Sequence, residues 1–184
     1  MIEPLTNTLE IFGSWRKLAN MRCDLSDLYE KQKELDLEIA NNHHISYETT
    51  HNKRILALLV EVGELANATR TFKFWSNKGP EEKERILDEY ADGLHFLLSL
   101  GIDGGYVVSH LDVEDDDMPI LTEAFLKMYD LAAKFYECQS QDNYYEMFKS
   151  YLRILFRLEY SWAEAKAAYY TKLEENHHRQ ETNY

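Results

Sequence analysis

Cysteine, proline and glycine are all scarce in this 184-residue chain, with 2, 3 and 7 of each. Cys23 and Cys138 form no metal-ligand spacing and are too few for a disulfide framework, so they fit a reduced, cytoplasmic setting. The shortage of turn-formers, set against long stretches of helical periodicity, points to an all-α chain. Long hydrophobic runs are missing as well. The longest, Ile55 to Val60, is far too short to span a bilayer, and Met1 to Asn7 lacks the basic and apolar regions of a signal peptide. Positive charge is in deficit: 20 Lys and Arg face 33 Asp and Glu, a net charge of −13. That balance argues against nucleic-acid and anionic-membrane partners. It does not exclude a nucleotide substrate, because metal ions can neutralise such a polyanion. The length suits one domain with a sizeable core, and neither an internal repeat nor a low-complexity segment interrupts it.

Acid is abundant, and two carboxylate pairs stand out within it. Glu61 and Glu64 form an E-x-x-E pair, and Glu89 and Asp92 an E-x-x-D pair, each inside a segment of helical period. Residues three apart share a helix face, so two such helices packed together point four carboxylates into one volume. The ordinary reading of one acidic pair is a solvated helix face. Glu61 and Glu64 depart from it, because no Lys or Arg lies at i±3 or i±4 and small apolar residues surround both. A carboxylate buried without a partner is costly, so an external cation is the economical explanation. Hard, oxygen-preferring Mg2+ suits such a set. In the second pair Arg85 can answer Glu89, whereas Asp92 has only Asp88 on its preceding turn. Phe96 shares that face and is either core or a stacking partner for a base.

Along the chain, a short helix around Leu9 to Leu18 is possible on pattern alone. A clear helix spans about Ser26 to Ile39, with the polar Gln32 inside its apolar stripe. Asn41 to Thr50, with exposed His43 and His44, reads as a linker. Helices follow at about His51 to Phe72 and Pro80 to Leu100. Asp112 to Asp117 reads as a solvated acidic turn, since it lacks the Gly and terminal Glu of a Ca2+ loop. A helix at Ile120 to Cys138 and a long aromatic-rich one from an Asp142 cap to about Glu175, with scope for a break, complete the pattern. Near the end, Lys172, Asn176, Arg179 and Gln180 fall on one helical face, either a phosphate grip or a solvated helix terminus whose cations offset the dipole.

Three stretches carry a resemblance: Ile55 to Asn67 (ILALLVEVGELAN), Phe72 to Lys78 (FKFWSNK) and Glu89 to Gly101 (EYADGLHFLLSLG). Together with Gln32-x-x-Leu35-Asp36 and the tail from Lys172 to Tyr184, they resemble the dimeric, all-α dUTP pyrophosphatases. These belong to the all-α NTP pyrophosphohydrolases, which include the MazG-like enzymes. The resemblance implies a single helical domain with a metal site between two core helices and a variable region at about 105–145. It implies that Glu61, Glu64, Glu89 and Asp92 hold two or more Mg2+ ions, with Glu61 deprotonating the attacking water. Gln32 would read the uracil edge, Phe96 stack on the base, Trp75 close the pocket and His95 line the deoxyribose. Lys73, Lys78, Lys172, Asn176 and Arg179 would contact phosphates. Tyr184 would lie in a tail mobile from about His177 until nucleotide binds. The implied products are dUMP and pyrophosphate from dUTP, with dUDP as a second substrate. A homodimer is implied too, for which Tyr151, Trp162 and Tyr169 offer aromatic surface. Some phage members also bind repressor proteins, which makes such a partner possible here.

Three alternatives stand beside this. A broader MazG-like pyrophosphohydrolase would have the same chemistry and a looser base pocket. A ferritin-like di-iron protein would use Asp92-x-x-His95, but that fold needs two such units and the chain has one. A non-catalytic helical module would use the acids as a binding face.

Overall fold

The structure is a computed structural model that describes residues 20–115 and 120–182. In chain order its elements are β1 (Asn20–Asp24), α1 (Ser26–His43), α2 (Tyr47–Thr69), α3 (Lys83–Gly104), β2 (His110–Glu114), α4 (Leu121–Glu137), α5 (Gln141–Leu158) and α6 (Trp162–Glu181). The all-α expectation holds, with one small addition: β1 and β2 pair antiparallel, Asn20 opposite Glu114 and Asp24 opposite His110. The expected short helix at 9–18 lies outside the described residues.

α3 is the central helix and packs against α1, α2, α5 and α6. Its apolar positions Leu94, Leu97, Leu98 and Leu100 are fully buried. Two glycines let tyrosines reach its backbone. At Gly93 an added Cβ would stand 2.2 Å from the Tyr151 hydroxyl, and at Gly101 2.2 Å from that of Tyr144. Through these gaps Tyr151 donates to the Tyr90 carbonyl at 2.7 Å, and Tyr144 to the Leu97 carbonyl at 2.9 Å. The Tyr90 and Tyr151 rings stack with centroids 4.5 Å apart. α5 is thus registered against the turn of α3 that carries Glu89 and Asp92.

Several boundaries differ from those expected, each for a local reason. Ser46 caps α2 in a box with Thr49, so the helix begins at Tyr47 and the linker shrinks to the residues between His43 and Tyr47. Arg70, in the left-handed region at φ 56°, ends α2 at Thr69. α3 begins at Lys83 rather than Pro80 and ends at Gly104, within the glycine-rich stretch that follows Leu100, where Gly105 at φ 71° closes it. The long C-terminal helix is in fact two. Glu159 turns left-handed at φ 58°, and Ser161 restarts the chain in a capping box with Glu164. Ser140, not Asp142, caps α5 by accepting from the Asn143 N–H.

The 112–117 segment is not a solvated turn over its described part. Residues to Glu114 lie in β2, Arg153 donates to the Glu114 carbonyl at 3.0 Å, and Asp115 forms a largely buried ion pair with Arg157. Of the aromatics expected at a dimer surface, Tyr151 and Tyr169 are fully buried in the chain's own core, whereas Trp162 is only partly buried and packs against it. Among the described residues no helix is long and apolar enough to cross a membrane.

Candidate active site

α2 and α3 face each other, so their carboxylates meet. Glu61, Glu89 and Asp92 each offer an oxygen, and these atoms lie within 4.8 Å of one another. Glu64, one turn beyond Glu61, is exposed and stands outside this tight set, yet its charge is felt by both Glu61 and Glu89. Three carboxylate oxygens at this spacing fit a hard divalent cation, which takes oxygen donors. Burial pushes the Glu61 carboxyl up to about 7, helped by the charges of Asp92, Glu64 and Glu89 and opposed by Lys172. Burial likewise raises Glu89 and Asp92, against the pull of Arg85 and Lys172 respectively.

Two cations from different helices answer these acids. Arg85 pairs with Glu89, as their spacing on α3 suggests. Lys172 of α6 is buried and places its ammonium 2.6 Å from Asp88 and 3.0 Å from Asp92. Lys172, expected at the phosphates, sits among the carboxylates of α3.

A pocket of about 380 Å³ opens from the acidic cluster. Gln32, Asp36, Arg54, Glu61, Asp92, His95, Phe96, Ser99, Asn176, Arg179 and Gln180 are among its walls. Seven residues singled out in the sequence as site candidates therefore converge: Gln32, Glu61, Asp92, His95, Phe96, Asn176 and Arg179. The place of Gln32 in an apolar stripe is explained by its partners. Its Oε1 accepts from His95 Nδ1 at 2.7 Å and from the Tyr169 hydroxyl at 3.2 Å, and its Nε2 donates to Asp36 at 3.0 Å. His95 stacks on Tyr169 with centroids 4.2 Å apart. Burial holds its imidazole down at about 3, so the ring is neutral at physiological pH.

Other candidates lie elsewhere. Lys73, Trp75 and Lys78 belong to the loop after α2 and do not line the pocket. Arg70 folds that loop by donating to the Lys78 carbonyl at 3.2 Å and to the Ser76 hydroxyl at 2.6 Å. The loop presents Phe74 and Trp75 to solvent, 94% and 66% exposed. Tyr184 lies outside the described residues. The expected mobile tail is, through Glu181, part of α6. There His177 meets Glu38 of α1 at 2.5 Å and Asn42 donates to Gln180 at 3.4 Å.

Sequence reasoning missed Asp36 and Ser99 as site residues. A signal for Asp36 was present, since it follows Gln32 by one helical turn on the same stripe. Nothing local marks Tyr169, which reaches Gln32 from the far end of the chain.

A model of the family described as dUTPase matches residues 24–184. No curated protein matches the chain. The match covers the acidic helix pair, the pocket and the C-terminal helix, and on that basis the chain belongs to the all-α dUTPase family and is a nucleoside triphosphate pyrophosphohydrolase of the dUTP diphosphatase kind.

Proposed function

We propose that the chain converts dUTP to dUMP and pyrophosphate, and dUDP to dUMP, with Mg2+ as cofactor. The observation that carries this is the pocket itself: Glu61 and Asp92, clustered with Glu89, share its lining with Gln32, His95 and Phe96. Glu61, Glu89 and Asp92, joined by Glu64, would hold two or more ions. When bound, these neutralise the triphosphate, polarise a phosphoryl group and make water more acidic. Glu61 takes the proton from the attacking water, because it is half-buried within the acidic cluster and its carboxyl is raised toward neutral pH. Asp92 and Glu89 hold the cluster in register, with Lys172 anchoring Asp92 from α6. Phe96 supplies a face for the base and Gln32 reads its edge. Arg179 and Asn176, one helical turn apart on α6, hold the phosphates. Comparing hydrolysis of dUTP, dCTP and dTTP tests this. The reading expects dUTP to be strongly preferred, and equal rates would point instead to a broad MazG-like pyrophosphohydrolase.

Arg179→Ala is expected to lower kcat/KM for dUTP by roughly tenfold or more, since it deletes charge-assisted bonds to phosphate. An unchanged kcat/KM would return Arg179 to the role of a helix-terminal cation paired with Glu175.

The chain is also proposed to act as a homodimer. Exposed apolar side chains on α2, its following loop and α4 suit this: Leu56, Val60, Phe72, Phe74, Trp75 and Leu126. Light scattering should give twice the 21.8 kDa chain mass at micromolar concentration, and a monomer mass there would count against it. Trp75→Ala should then weaken the dimer and, through it, activity. The resemblance also carries a repressor-type protein partner, which binding of a candidate repressor tests.

A further inference from the structure

Gln32 is a neutral amide with a choice of two orientations, and its surroundings permit one. Gln32, His95 and Asp36 are 3%, 5% and 6% exposed, so water supplies little correction for a mismatched contact. The Asp36 carboxylate offers only acceptors. Its Oδ2 receives the Ser99 hydroxyl at 2.7 Å and the Tyr47 hydroxyl at 2.8 Å, and its Oδ1 receives Gln32 Nε2 at 3.0 Å. Reversing the amide would set the Gln32 oxygen against Asp36 Oδ1, acceptor on acceptor, whatever the tautomer of His95. In the observed orientation the Gln32 oxygen accepts from His95 and shares the single Tyr169 hydroxyl proton with the Leu28 carbonyl, each 3.2 Å from that hydroxyl. One Nε2 hydrogen goes to Asp36, and the second is left for the pocket that Gln32 lines.

We propose that Asp36 is a positioning residue that sets which pyrimidine the pocket accepts, by locking the Gln32 amide so that it offers a bound base an N–H and never its C=O. This rests on the reading of the pocket as the base-binding site of a dUTP diphosphatase. A uracil meets the N–H with a carbonyl oxygen such as O4. A cytosine turned the same way brings its 4-amino group, so donor faces donor in a dry site and one hydrogen bond is lost on each side. The lock passes to His95 as well. Since Gln32 Oε1 requires a donor and the neutral ring carries one proton, that proton sits on Nδ1.

Asp36→Asn tests the lock. An asparagine can present either its oxygen or its NH2 to Gln32, and the Ser99 and Tyr47 hydroxyls can accept as well as donate. Both orientations of Gln32 then become available. The ratio of kcat/KM for dUTP to that for dCTP should fall at least roughly tenfold, through a rise in dCTP turnover. The second readout is the 15N spectrum of the His95 ring, which a merely structural role would not move. Wild type without nucleotide should show the Nδ1–H tautomer alone. Asp36→Asn with a non-hydrolysable α,β-imido dCTP should show the Nε2–H tautomer. A wild-type ring protonated on Nε2, or an Asp36→Asn variant with both the ratio and the tautomer unchanged, overturns the proposal. Failure of wild type to hydrolyse dUTP would instead remove the functional reading, and the ligand-free spectrum would still decide whether the lock exists.

Discussion

Glu61→Gln lowers dUTP turnover by at least roughly a thousandfold while the helices remain intact, because it removes both the base and one carboxylate of the cluster. The same substitution has a second signature in the protein without divalent ions. The Glu61 carboxyl is raised to about 7 from an ordinary value of 4.5, with burial as the main cause and the neighbouring acids adding to it. A raised carboxyl favours the protonated folded form. Its contribution to stability is complete below pH 4.5 and is lost as pH climbs through 7. Glu89 and Asp92 are shifted in the same direction, so the metal-free protein should melt lower at pH 8 than at pH 5. Glu61→Gln cannot ionise at that position. Its melting temperature at pH 8 should exceed that of wild type by roughly 2–4 °C, the equivalent of about 1 kcal/mol in a domain of this size. At pH 5 the two should melt closer together. Adding Mg2+ should raise the wild-type melting temperature at pH 8 and move that of Glu61→Gln much less. Turnover near the wild-type rate, or a variant that melts lower than wild type at pH 8, contradicts the roles given to Glu61.

Gly93→Ala is expected to reduce stability by about 3 kcal/mol, or roughly 6–12 °C in melting temperature, although alanine is the better helix former. The added methyl would stand 2.2 Å from the Tyr151 hydroxyl and 2.8 Å from its ring carbon Cζ. Tyr151 is fully buried between α3 and α5 and has no room to retreat. Its bond to the Tyr90 carbonyl and its stack on the Tyr90 ring would both be disturbed. Asp92 immediately precedes Gly93, so the disturbance reaches the acidic cluster, and the Mg2+ concentration for half-maximal activity should rise as well. Thermal melts and a Mg2+ titration of activity measure the two effects. A melting temperature equal to that of wild type would mean that Tyr151 yields at little cost.

The cluster was legible in the sequence because its spacing is local. E-x-x-E on α2 and E-x-x-D on α3 each define one helix face without reference to any other part of the chain. The answering cations divide along the same line. Arg85 sits one turn before Glu89 and could be read directly, whereas Lys172 meets Asp88 and Asp92 only because α6 folds back across α3. Gln32 could be flagged as a polar residue in an apolar stripe, but not assigned an orientation. That depends on Asp36 one turn along α1 acting together with His95, Ser99 and Tyr169, which arrive from two other helices. The β1–β2 ribbon escaped detection for a similar reason. Asn20–Asp24 alternates Met21 and Cys23 with polar residues, but over only five positions and without a β-branched residue, and its partner strand lies far along the chain. The break at Glu159 was anticipated only as a possibility; the Ser161–Glu164 box that fixes it is a short motif inside a longer apolar period.

Pyrophosphate release from dUTP by the purified chain, measured with Mg2+ and again with the ion chelated, tests the central claim most directly. The account predicts dUMP and pyrophosphate in equal amounts with Mg2+ present, and loss of turnover on chelation that is restored by adding Mg2+ back. No dUMP formed at any Mg2+ concentration, or turnover indifferent to the chelator, would contradict it.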